Sequence, residues 1–213
     1  MEISENNINE SHKSLSQWLF NPFKFIAGTK ALVAGVIIIL VATLIGAFGK
    51  THFDGVLDVH TGLKVPVWVY FAESIIDWLS MVLFLFLSAL LIAKSSWRFI
   101  DILGTQALSR WPTLLTAMVM LPEANRRFGN YLMSKAGQSS AAPAINNSDA
   151  IIFGIAAIVS LLMIIWTVVL MYRSYTVSCN VKGPKAVATF IVSLILAEVL
   201  SKVLILSLAG CFV

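Results

Sequence analysis

The chain has 213 residues, 58% of them hydrophobic and 12% charged, with a formal net charge of +4 and a mean hydropathy of +0.86. A soluble domain carries about 25% charged residues, so this composition excludes an ordinary water-soluble globule and predicts an all-α bundle of spans in lipid. The basic residues fall between apolar runs, without interleaved aromatics, so they read as a topology signal and nucleic acid is not an expected partner.

Residues 1–30 read as a polar tail followed by an interfacial segment, and 31–213 as a membrane domain. Residues 1–14 are polar, while Leu15 to Ile26 is aromatic and interrupted by Asn21-Pro22. Trp18, Phe20, Phe23 and Phe25 suit the headgroup level of a membrane. The first apolar run outlasts a signal-peptide core of roughly 7–15 residues, so a retained span is expected.

Five spans are predicted, at about 31–48, 67–93, 98–121, 150–172 and 186–212. Gly35, Ala42 and Gly46 lie on one side of the first, small enough for another backbone to approach. Lys50 to Pro66 reads as a hydrophilic loop. The second span carries a narrow stripe of Glu73, Asp77, Ser80 and Ser88. In the third, Asp101, Thr105, Gln106, Ser109, Arg110, Pro112, Thr113 and Thr116 share one half of the wheel. Lipid would leave those groups unsatisfied, so a continuous helix at the bundle centre, polar face inward, is expected. Pro122 to Gly137 reads as an amphipathic surface helix, and 138–149 has linker composition. The fourth span is the most uniformly apolar, and the fifth carries Glu198 and Lys202.

Five spans set the termini on opposite sides. Lys13, Lys24, Lys30, Lys94, Arg98, Arg173, Lys182 and Lys185 face one way, and Lys50, Lys64, Arg126, Arg127 and Lys135 the other. Eight cations against five predict an internal amino terminus. Trp68 and Tyr70 would then mark the outer rim, and Trp97, Tyr172 and Tyr175 the inner one. Cys179 and Cys211 fall on opposite faces, where no disulfide joins them.

Depth can be counted at 1.5 Å per residue. Arg110 lies about 18 Å from Arg98, Glu198 about as deep from Ala186, and Asp77 about 16 Å from Pro66. Glu73 and Lys202 follow one turn further outward, so five ionisable groups on three helices converge near midplane. Arg110 is expected to pair with Glu198 or Asp77, and Lys202 to sit near Glu73 and Glu198. Such a cluster is either a latch that fixes helix register or a relay or polar-substrate site. In the loop, His52, Asp54, Asp58 and His60 are metal-ligating types, but their spacing matches no metal site, and the expectation is a solvated loop with no metal or cofactor. No GxxxxGK[ST], HExxH or GxSxG is present, and no enzyme activity is expected.

The order of features has a familiar form. LFNPFKF precedes the first span, DILGTQALSRWPTLL forms the third, and IIWTVVLMYRSYTVSCNVKGPKAVATF leads from the fourth into the fifth, with Trp166 and Lys185-Ala186. This resembles the Yip family of five-span membrane proteins, particularly its bacterial members. The resemblance implies a five-helix bundle with a cytoplasmic amino terminus. Eukaryotic members are associated with Golgi and endoplasmic-reticulum traffic and prenylated Rab GTPases. This chain lacks the Asp-Leu-x-Gly-Pro-like motif that precedes the spans there. The expectation is a multi-pass protein of a bacterial cytoplasmic membrane, or of Golgi or endoplasmic reticulum if the source is eukaryotic. It would be non-enzymatic, organising membrane partners, trafficking or homeostasis, with lipids, protein partners or a second copy around it. The alternative is a small transporter or channel subunit that uses Asp77, Arg110, Glu198 and Lys202 for ion or proton-coupled transport.

Overall fold

A computed structural model describes residues 15–61, 65–94, 96–137 and 144–210. About 80% of the chain is helical. Residues 1–14, the linker core 138–143 and Cys211 lie outside the described residues.

Four helices are long and apolar enough to cross a membrane: α2 (Gly28–Gly49), α3 (Val67–Ile92), α7 (Asn147–Ser178) and α8 (Gly183–Gly210). Each buries only a minor share of its apolar window, and α7 the least. So much outward apolar surface is compatible with lipid around these helices. Asn146 and Asp149 close a capping box at the start of α7.

The expected third span is not one continuous helix. It divides into α4 (Phe99–Leu108) and α5 (Pro112–Met120). Pro112 has no N–H and its ring crowds the turn before it. The chain therefore tightens, with Arg110 N–H reaching Ala107 O and Trp111 N–H reaching Leu108 O, both at 3.2 Å. The pair runs alongside α2 in the same direction, with Gly104 against Gly28 and Leu32, and Leu121 against Gly49. A Cβ at Gly35 would run into the Leu108 amide and Ala107. The small-residue face of α2 thus admits α4 at backbone contact.

The predicted inward polar face holds, and it is tied to α7. Gln106 Nε2 donates to Met171 O and Ser174 Oγ, each at 3.0 Å, while Ser174 Oγ donates to Thr105 Oγ1 at 2.7 Å. Across α3 and α8, Ser88 and Ser193 hydroxyls meet at 2.6 Å beside a core of Met81, Leu85, Met171, Tyr175 and Phe190.

The bundle has two distinct ends. At the basic end, Gly28 approaches Asp101, Ser178 Oγ donates to Asp101 O, and α8 begins. At the other, the hairpin end, α2 stops and α3 starts. The amphipathic helix α6 (Glu123–Lys135) lies here as predicted, held to the start of α7 by the Arg127–Asp149 ion pair.

Three expectations need correction. The interfacial segment is α1 (Leu15–Phe20) with a 3-10 turn at Pro22–Lys24, and part of it docks inward: Phe23 is buried, and Trp166 Nε1 donates to Leu19 O at 3.2 Å. Two rim aromatics face the interior instead. Tyr70 stacks on His52 at 4.4 Å, and Tyr175 is fully buried with its hydroxyl 3.1 Å from Thr189. The described part of the expected solvated loop, residues 50–61, is no solvated connection either. Strands β1 (Thr51–His52) and β2 (His60–Thr61) pair antiparallel, and Thr51, His52, Phe53 and Val56 are buried. Phe53 and Val56 supply the apolar reason for docking, and the bundle supplies partners for the polar groups.

Candidate functional site

The hairpin tip docks on α8 at Glu198 and Lys202, the level of the charged cluster. The two groups of residues that the sequence presents separately therefore form one constellation. Glu73 receives the Nδ1 of His52 at 3.0 Å. His60 Nδ1 lies 2.9 Å from Asp54 Oδ1. Lys202 pairs with Asp58, and Glu198 Oε2 accepts the Leu57 N–H at 3.0 Å. Asp77 accepts the hydroxyl of Ser201.

Gly55 is what lets the tip come so close. A Cβ there would stand 2.5 Å from Glu198 Oε1 and 3.2 Å from its Cδ. With no side chain, the backbone itself can serve a carboxylate that the fold draws away from water.

Two expected pairings are not made. Lys202 takes Asp58 rather than Glu73. Arg110 feels the charges of Asp77 and Glu198, but no carboxylate among the described residues lies within ion-pair distance of it. Its side chain is 6% exposed, and Nη2 is buried without a hydrogen-bond partner. Asp77 is fully buried with Oδ2 unpartnered as well. Both are costly in a low-dielectric interior unless water or a ligand meets them.

A small cavity lies beside Arg110. It has a volume of about 30 Å³ and is lined by Thr43, Ser74, Thr113, Thr116, Thr167 and the hairpin from Phe53 to Val59. One water needs roughly 10–15 Å³, so about two fit. Thr113 and Thr167 donate their hydroxyls to helix carbonyls, leaving lone pairs toward the space. Thr43 and Ser74 hydroxyls meet at 2.7 Å, so one of them keeps a free proton. The chamber thus sets these hydroxyls and Arg110 in a wall that is otherwise mostly apolar, with Ile39, Ala42, Phe53, Val56 and Ile164 lining it, and it lies at the point where the helix breaks.

The electrostatic balance is negative. Among the described residues of this cluster, the carboxyl groups of Asp54, Asp58, Glu73, Asp77 and Glu198 outnumber the cations Arg110 and Lys202. At His60 burial works against the charged ring, yet the Asp54 hydrogen bond and the charges of Asp54, Asp58 and Glu73 leave its pKa raised. Burial also opposes the Asp54 charge, but His60 and then Lys202 hold the carboxyl below its ordinary range. The rings of His52 and His60 stack at 5.0 Å.

His52, Asp54, Asp58 and His60 do not gather as a metal set. Among the described residues no three His, Cys, Asp or Glu side chains come together for an ion. Each of the four takes a protein partner instead. The hairpin's docking is the feature the sequence reading lacked. Its one local signal is the composition FDGVLDVH, with four apolar residues and a glycine among the acids.

Comparison with protein-family models, curated proteins and solved structures finds no match to the chain.

Proposed function

We propose that the chain is a non-enzymatic, five-crossing integral membrane protein, a small transporter or channel subunit that handles protons or small cations through the Arg110 chamber. The four long apolar helices support the membrane reading, and the kinked α4–α5 pair supplies the fifth crossing. The basic end faces the cytoplasm by the positive-inside rule, in a bacterial cytoplasmic membrane. One observation carries the transport reading: a buried arginine with an unpartnered nitrogen lines a hydroxyl-bearing cavity at a helix break. Transporters build sites near midplane from interrupted helices, because only there is a broken backbone tolerated. The excess of carboxylates disfavours an anion and favours a proton or cation.

Proteoliposomes with an imposed pH gradient and a trapped pH dye test this. Wild-type protein is expected to dissipate the gradient, and Asp77→Asn and Glu198→Gln to slow it about tenfold or more, as for an ionisable group acting directly. Wild-type flux equal to that of empty vesicles, for protons and for sodium or potassium, contradicts the reading.

A second reading, the Yip-like organiser of membrane partners, is favoured by a different observation. Glu73, Glu198 and Lys202 all have protein partners, as a latch would. Co-purification of a partner that is lost when the basic-end loops are replaced would support it.

A further inference from the structure

The basic end holds a second cavity, separate from the chamber. It has a volume of about 530 Å³ and lies between the amino-terminal segment and the α7–α8 turn. Lys24, Arg173 and Lys182 line it together with Asn21, Thr176 and Tyr172. No acidic side chain lines it, and none of the three cations has an ion-pair partner among the described residues. Asp101 is the one described carboxylate at this end, and Arg98 already holds it at 2.9 Å. Three exposed cations converging without counter-charge repel one another, so the fold leaves them for an anion from outside.

We propose that this cavity binds the headgroup of an anionic glycerophospholipid, its phosphate held by Lys24, Arg173 and Lys182. Asn21 Oδ1 is buried with no hydrogen-bond partner, an acceptor suited to a headgroup hydroxyl. Beside it α1 exposes Leu15, Trp18 and Phe20, an apolar surface along which the acyl chains descend. The cavity size suits a headgroup, since small-molecule sites span roughly 300–1,000 Å³. Basic pockets between spanning helices on the cytoplasmic side attract anionic headgroups for the same reason. The site rests on the membrane reading above, but not on transport.

The test is thermal unfolding of the full chain in a neutral detergent, titrated with phosphatidylglycerol, phosphatidylcholine or inorganic phosphate. Phosphatidylglycerol is expected to raise the melting temperature in a saturable way, phosphatidylcholine to leave it unchanged, and inorganic phosphate at about 10 mM to have little effect. Each cation removed as Gln should weaken the phosphatidylglycerol response about fivefold, the worth of one basic residue at an anionic surface. The triple variant K24Q/R173Q/K182Q should lose the response while melting normally in phosphatidylcholine. If that variant does not fold, single Lys182→Gln and the salt dependence of the wild-type response replace it. An equal shift with phosphatidylcholine, or a full response in the variant, overturns the site. A phosphate response as large as the lipid's assigns the cavity to free phosphate instead. Release of the chain from membranes by alkaline carbonate would overturn the membrane reading itself.

Discussion

The two ends of the bundle handle charge in opposite ways. At the hairpin end, carboxylates and cations are drawn into the fold and a loop folds down to meet them. At the basic end, Lys24, Arg173 and Lys182 stay exposed around an open cavity with no acid among the described residues to pair with. The difference follows from solvation. A charge held in a low-dielectric interior must find its partner within the chain, whereas one at the headgroup level can use water or lipid phosphate. One end is therefore sensitive to the loss of a single partner, and the other is not.

Breaking the first end should give the largest effect. Glu198→Leu strands the Leu57 N–H and removes a carboxylate facing Arg110. We expect a loss of about 3 kcal/mol, the usual consequence of leaving buried polar and charged groups uncompensated. Denaturant unfolding in detergent reads it, and a loss as small as that of an exposed pair would remove the contrast between the ends.

Acidity sharpens the comparison. His60 has a raised pKa when docked, so its contribution is complete below the ordinary histidine value of about 6.5 and is lost as pH rises through the raised value. Asp54 is depressed, so its contribution is present above the ordinary carboxylate value of about 4 and is lost as pH falls through the depressed one. Docking should be firmest between those limits. Proteolysis within 50–61, or labelling of a cysteine introduced as Val59→Cys, should therefore increase from about pH 6 to pH 8.5, and His60→Asn should flatten that dependence.

Smaller effects come from the rim. The Lys202–Asp58 pair is partly open to solvent, with side-chain exposures of 37% and 45%. Lys202→Met should cost under about 1 kcal/mol. Smallest of all, Arg173→Gln at the basic end should leave unfolding in neutral detergent unchanged, since no protein partner is lost.

Much of the architecture is legible in the chain because apolar runs and helix length are local properties. Glu123–Lys135 could be read as an amphipathic helix, and Gly35 as a point of close approach, for the same reason. The break at Arg110 also had a local mark in Pro112, but a proline within a span does not by itself say whether the helix bends or stops. Docking of the hairpin had no such mark. Leu57 and Glu198 are 141 residues apart, and that pairing emerges only when α3 and α8 have packed. Helix rise places Asp77, Arg110 and Glu198 at similar depth, and their charges do act on one another, but rise along the spans carries no information about a loop partner. The loop supplies the closer partners.

The most direct test of a hairpin folded into the charged bundle is amide hydrogen exchange of residues 50–61 in lipid nanodiscs at about pH 6. The Leu57 amide should be protected to a degree comparable with the core of α3, and Glu198→Leu should abolish that protection. Exchange of Leu57 at the rate of an unstructured peptide in the wild-type protein would contradict the account.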